Sequence, residues 1–236
     1  MTVTAFLALS LLVGISAFIQ GAVGIGFALI VAPVFGFFDA SYLPVTLLIL
    51  MLPLNFLVAW RERGAIDRQG TGWITFGRFF GTFLGMGVLL ALSVRQLEIA
   101  VGLLTILAAV VALLSPPFNP TPSAAVGVGL FTGVTETATG IGGPPLALLY
   151  QHAPGPVLRS TVATCFLIGE LISLVILLIA GRIGQMQVLA ALYLIPAVLI
   201  GSVLSRHVHS RINGPGLRLA VLIFSIVSGA ALVLKG

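Results

Sequence analysis

Two stretches of this 236-residue chain are longer than one ordinary membrane span, and both are interrupted at an equivalent point. The first reads Gln20-Gly-Ala-Val-Gly24-Ile25-Gly26-Phe27, the second Glu136-Thr-Ala-Thr139-Gly140-Ile141-Gly142-Gly143-Pro144-Pro145. Gly24 and Gly140, which open the two Gly-Ile-Gly triplets, lie 116 residues apart, and a polar side chain stands four positions before each. Inside hydrocarbon a backbone that leaves the helix is tolerated only where protein or a water-filled cavity satisfies its N–H and C=O groups. Paired broken helices in two related halves are how secondary transporters build a substrate site near the bilayer midplane. The motif predicts a chain that folds in lipid and moves something small.

Composition agrees. Hydrophobic residues make up 59% of the chain and charged residues 7%, against roughly a quarter charged in a soluble domain. Apolar blocks fall at about 3–38, 42–60, 72–93, 97–115, 122–150, 157–181, 186–205 and 216–235, each long enough for a helix of about 20 residues across the hydrocarbon. The expected fold is an all-α polytopic membrane protein. Ser115-Pro-Pro-Phe-Asn-Pro-Thr-Pro122 cannot be helical and divides the chain into repeats 1–116 and 117–236. Further landmarks recur at nearly the same offset: Gly64-Ala-Ile66 with Gly181-Arg-Ile183, Gly81 to Gly85 with Ala197 to Gly201, and Arg95 with Arg211. Each repeat reads as a broken first helix or hairpin followed by three membrane helices.

Charge suggests how the repeats face. Arg61, Arg63 and Arg68, with Arg78 just beyond, follow the second block, whereas Arg206, Arg211 and Arg218 surround the connection before the last. Only inverted repeats put both groups, and Arg159, on one side of the membrane, as the positive-inside rule requires. No Lys/Arg block supports nucleic-acid binding. The single cysteine, Cys165, excludes an internal disulfide. The N-terminus lacks a basic region before its first apolar block, which reads as a retained span rather than a signal peptide.

The candidate site consists of the two breaks: Gln20, Gly24, Ile25 and Gly26 in one half, and Thr139, Gly140, Ile141, Gly142 and Gly143 in the other. Both are expected to meet near the membrane centre as substrate-binding segments. Pro144 or Pro145 suits the first turn of a new helix, whose free N–H groups and dipole would favour an anion. Gly77-x3-Gly81-x3-Gly85 reads instead as a tight helix-packing seam. Glu136 is the strongest single residue, because an acid within an apolar segment is costly unless paired, neutralised or wet. It is the candidate for proton coupling or anion contact, and Thr132, Thr135, Thr137 and Thr139 surround it with hydroxyls. A bare carboxylate repels an anion, so binding and deprotonation should oppose one another; export driven by inward proton flow is the expected outcome. Glu170 is the second coupling candidate, with Arg78 or Arg159 as its expected partner, and Asn55 is a weaker candidate. His207-x-His209 lacks further ligands, so no metal is expected. No nucleophile pattern or phosphate loop supports an enzyme or a cofactor.

These residues resemble the TauE/SafE family of sulfite-exporter-like membrane proteins. The likeness spans the chain and rests on Gly14-x6-Gly21-x2-Gly24-Ile-Gly26 and on the more specific Gly133-x6-Gly140-Ile-Gly-Gly-Pro-Pro145. It implies a carrier in the bacterial inner membrane, usually an exporter, for sulfite, sulfonates or related small sulfur-containing or organic anions. It also implies that the breaks contact substrate. Phe27 and Ala28 stand where the second motif has Gly143 and Pro144, so the half-sites are not chemically equivalent. The expected partners are a small anionic substrate and the bilayer, with a second copy of the chain as a candidate. The alternative from another class is a non-transporting membrane scaffold or assembly subunit.

Inverted repeats place both termini outside the cytoplasm and the Pro-rich connection inside. Reporter fusions at residues 115–121 and at the C-terminus should therefore report opposite faces of the membrane. Reports from the same face would rule out the inversion.

Overall fold

The computed structural model describes residues 3–114, 121–207 and 215–235, and within them the chain forms ten α-helices and two single-turn 3-10 segments, with no strand. The Pro-rich connection 115–120, His209 and Arg211 lie outside the described residues, as do the side chains of Pro144 and Arg218. The helices are α1 (Val3–Val23), α2 (Phe27–Asp39), α3 (Val45–Arg61), α4 (Arg68–Ala91), α5 (Val94–Leu114), α6 (Pro122–Thr139), α7 (Gly143–Leu149), α8 (Gly155–Ile179), α9 (Gln185–Ser205) and α10 (Pro215–Leu234). Five of them are long and apolar enough to cross a membrane. The chain is a multi-pass, all-α membrane protein.

Both long blocks break where the sequence places the glycines. α1 ends before Gly24 and Gly26, whose φ values of 96° and 128° suit only a residue without Cβ. α6 ends on Gly140 in the left-handed conformation, its N–H donating to the Glu136 carbonyl at 2.7 Å. α7 restarts at Gly143 with proline in its first turn, where a missing N–H costs nothing. At its other end, α6 starts on Thr121, whose hydroxyl accepts from the Ala124 N–H at 3.2 Å.

Small residues set the helix pairing. Gly77, Gly81 and Gly85 of α4 advance alongside Val126, Leu130, Gly133 and Val134 of α6, so the two helices run parallel. A Cβ at Gly77 or Gly81 would overlap a backbone carbonyl of the partner, Val126 or Leu130. α1 runs parallel to α9 in the same manner, with Gly14 against Ala197 and Gly201, and Gly21 against Ser205. Each half thus lays its first helix along the fourth helix of the other.

The side-chain bonds define two ends of the bundle. At one end Arg61, closing α3, donates to Ser205 at the close of α9 and to the Gly21 carbonyl at 2.8 Å. There Arg159, near the start of α8, grips Glu62 through Nε at 3.0 Å and a terminal nitrogen at 2.6 Å. The Asp67 N–H, at the start of α4, donates to the Thr161 hydroxyl of α8 at 3.0 Å. Arg63 lies 4.6 Å over the ring of exposed Trp60, an interfacial anchor. At the other end Thr46 donates to the Gln187 carbonyl, Gln187 to the Ser41 carbonyl, and Arg95 of α5 to the Val233 carbonyl near the close of α10. It follows that α3 and α8, α4 and α9, and α5 and α10 run antiparallel within each pair. Arg78 is not part of the charged end; it is fully buried in the middle of α4.

The seam yields a comparison. Gly81→Ala should destabilise the purified protein by about 1–3 kcal/mol, the usual cost of overpacking a closed contact. Gly72→Ala and Gly127→Ala, where an added Cβ meets nothing within 4 Å, should be neutral or gain up to about 1 kcal/mol from helix propensity. Thermal unfolding in detergent measures all three, and equal melting temperatures would exclude the close α4–α6 contact.

Candidate functional site

Each polar side chain stands four positions before its glycine, about one helical turn, so each lies one turn back from its break. Gln20 turns its carboxamide oxygen to the Phe27 N–H at 3.0 Å and thereby holds the first turn of α2. Its amide donates to Asn55 Oδ1 of α3 at 3.0 Å. Asn55 in turn donates to Glu170 Oε1 of α8 at 2.6 Å. A buried chain of side chains therefore ties the first break to a carboxyl of the second half.

The matching residue, Glu136, is bonded differently. Its Oε2 forms an ion pair with a terminal nitrogen of Arg78, and neither side chain has any exposed surface. Gly169 makes this possible, because a Cβ there would overlap the Arg78 guanidinium. The Phe166 ring packs with its centroid 5.6 Å from the guanidinium carbon. Glu170, fully buried next to Gly169, lies within electrostatic reach of both Arg78 and Glu136. Two carboxyls thus lie within the field of one guanidinium, which bonds Glu136, and the group is charge-balanced when one carboxyl carries a proton. Several of its polar atoms have no partner: Arg78 Nε, the other Arg78 terminal nitrogen, Glu136 Oε1 and Glu170 Oε2.

The structure joins Gln20, Glu136 and Glu170 but separates the glycine triplets. Gly24 abuts Leu158 and Arg159 at the charged end, and Gly26 faces Ile19 and Val221. Gly140 abuts Leu47, near the start of α3 and so toward the opposite end. Gly142 faces Thr132 and Glu136, and Gly143 faces Phe166 at 3.8 Å. Ile25 and Ile141 are buried. The polar side chains of the two breaks converge through intermediaries, while Gly24 packs toward the charged end and Gly140 toward the end marked by Leu47. Thr139 spends its hydroxyl locally, donating to the Thr135 carbonyl at 2.7 Å and accepting from the Ile141 N–H at 3.3 Å. Thr137 shares a hydrogen bond with Ser173 at 2.8 Å.

The expected partner of Glu170 is corrected. Arg78 is taken by Glu136, Arg159 by Glu62, and Glu170 is held by Asn55. Arg78 is the central residue the sequence reading grouped with the wrong neighbours. Its signal was present, since it stands well inside the block at 72–93, where an arginine is functional by default.

Two further features flank the centre. A pocket of about 130 Å³ reaches Thr135, Ile141 and Gly142 from the side of Leu104, Leu107 and Phe131, and its walls are almost wholly apolar. At the charged end the Tyr150 phenol donates to Asp67 Oδ2 at 2.8 Å while Asp67 Oδ1 caps Gly70. Burial and the Asp67 carboxylate push this phenol well above its ordinary pKa, so it stays a donor. Among the described residues no group of three His, Cys, Asp or Glu side chains could hold a metal ion.

A sequence model of the sulfite exporter TauE/SafE family matches residues 7–232. No curated protein and no solved structure matches the chain.

The Gln20–Asn55–Glu170 chain predicts that Asn55→Leu destabilises the fold. The change leaves two buried groups without partners, at a cost of about 1–3 kcal/mol each. A lowered melting temperature of the purified variant is the expected result; an unchanged one would mean that these bonds do not hold the first break.

Proposed function

The chain belongs to the sulfite exporter TauE/SafE family, and on that premise we propose that it moves sulfite, a sulfonate or another small sulfur-containing or organic anion across a bacterial inner membrane by alternating access. The family is one of membrane transporters for sulfite and related anions. Export of the anion, coupling to protons and an inverted-repeat architecture are the finer parts of this reading.

The observation that carries it is the buried group of Arg78, Glu136 and Glu170, placed where helices of both halves converge. Desolvating such charges costs several kcal/mol each, and well-packed apolar residues would serve stability as well or better. A scaffold in lipid has no use for that cost, whereas a carrier of anions needs a cation, and a coupled carrier needs a group that exchanges protons. Glu136 and Glu170 are the coupling residues in this reading, and the segments 24–26 and 140–143 are the flexible backbone that borders the path. The antiparallel course of α3 and α8, α4 and α9, and α5 and α10 supports inverted repeats. With Arg61, Arg63, Arg68 and Arg159 at one end, the positive-inside rule makes that end cytoplasmic.

Proteoliposomes test the reading. Wild-type protein should carry sulfite or methanesulfonate with a rate that depends on the pH gradient. Glu136→Gln, which keeps shape and hydrogen bonding, should lose that pH dependence. Gly142→Leu should abolish flux while inserting normally, because even a Cβ there meets Thr132 at 2.7 Å. Substrate should also stabilise the purified protein, by about 2.7 kcal/mol at one hundred times Kd. A wild-type protein that neither transports nor is stabilised by any of these anions would leave the scaffold reading in place.

A further inference from the structure

The guanidinium of Arg78 has no exposed surface, yet two of its three nitrogens have no partner. A buried donor without an acceptor is costly and uncommon. Here it is not a packing accident: Gly169 supplies the room in which the guanidinium sits, and the Phe166 ring supports it at 5.6 Å. Among the described residues the only acceptor that reaches it is Glu136 Oε2, while Glu136 Oε1 and the nearby Glu170 Oε2 have no partner. Donors and acceptors are both left over, so the pairing seen is incomplete from either side.

We infer that Arg78 is the ligand for the anion's oxygens, and that the anion and the Glu136 carboxylate are alternatives on this one guanidinium. The inference rests on the transporter reading. Arginine presents its N–H groups in a fixed planar fork that suits the paired oxygens of a sulfite or sulfonate group better than the point charge of lysine does. Without cargo, Glu136 neutralises Arg78. When the anion takes its place, Glu136 would be left as an unpaired carboxylate beside Glu170 and the anion. It avoids that by taking a proton from solution, which forms one O–H bond on the carboxylate and leaves every bond of the anion intact, and the anion's charge replaces the one titrated away. The groups facing Glu136 are Arg78 from α4 and Glu170 from α8, with Cys165 of α8 near the guanidinium and Asn55 neutral beyond Glu170. None of these supplies a second cation. Anion and proton therefore load together, which makes the cycle a co-transport of the two rather than an exchange. Export then runs on the anion's own gradient and, for a doubly charged anion, on the membrane potential.

Binding of sulfite and of methanesulfonate to the full-length purified protein, read as anion-dependent thermal stabilisation over a series of pH values, tests the assignment. Wild type should bind more weakly as pH rises. Arg78→Lys should weaken binding about tenfold, since charge remains but the fork is lost. Arg78→Gln combined with Glu136→Gln, which avoids leaving a lone buried carboxylate, should not bind at all. Glu136→Gln alone should bind about tenfold more tightly at high pH and lose the pH dependence, because the competitor is gone. A purely structural ion pair predicts the reverse, a destabilised protein with unimproved affinity. Wild-type affinity in the double variant, or unchanged affinity and pH profile in Glu136→Gln, would overturn the role of Arg78 and leave the transporter reading standing. Absence of any anion effect on wild type would remove both.

Discussion

Burying a guanidinium in a lipid-enclosed helix bundle is the most expensive thing this chain does, and much of its architecture follows from it. Removing an ion from water costs several kcal/mol even after relaxation, and breaking a buried pair leaves the survivor uncompensated. Arg78 must therefore find Glu136 in the folded state, and α4 and α6 must approach closely enough to let it. The glycines of the seam provide that approach, since Gly77, Gly81, Gly129 and Gly133 place backbone directly against backbone. α4 lies in the first half and α6 in the second, so the pair also joins the halves. α6 lying along α4 meets that electrostatic demand, and α1 lies along α9 through the same kind of small-residue contact.

The two breaks answer the same backbone problem with different chemistry. Gln20 is neutral and uses both ends of its carboxamide, one on the Phe27 N–H and one on Asn55. Neither Gln20 nor Asn55 titrates. Glu136 leaves one oxygen idle and shares its other with a guanidinium that itself has donors to spare. A satisfied network rigidifies, whereas a partly satisfied one can be re-formed around a new partner. The first break is thus held and the second is exchangeable, an inequality already suggested by Phe27 standing where the other half has Gly143.

Much of this was legible in the sequence because lipid enforces simple rules. Apolar length gave the helices to within a few residues, and Gly24, Gly26 and Gly140 marked the breaks because positive φ needs glycine. Glu136 and Glu170 stood out as acids in apolar runs. What was hidden was pairing. Arg78 and Glu136 are 58 residues apart and Asn55 and Glu170 are 115 apart, and no local period connects such positions. Arg78 was further masked by its neighbours, since Gly77 and Gly81 explained the segment as a seam and the arginine was counted with those of the nearby connection. The depth of each break was equally hidden, because the triplets are alike in sequence while their surroundings, Arg159 for one and Leu47 for the other, are set by tertiary packing alone.

Arg78, Glu136 and Glu170 have no exposed surface, so the centre is closed to both sides in the state described. Access requires one end to part, and the two ends resist in different ways. The charged end is held by the doubly bonded Arg159–Glu62 pair and by Arg61 on the Gly21 carbonyl, the other by neutral bonds from Thr46 and Gln187 and, between α5 and α10, by the Lys235–Glu98 pair and Arg95 on the Val233 carbonyl. Gly24 lies directly against Arg159, and so the guanidinium that locks Glu62 also braces the first break. Opening there separates an ion pair and releases backbone at once. Opening at the other end parts the neutral bonds of Thr46 and Gln187 near Leu47, against which Gly140 is packed. Each break is therefore braced by the end it lies toward, and Glu136, one turn before the second break, is where a change at the centre reaches the backbone.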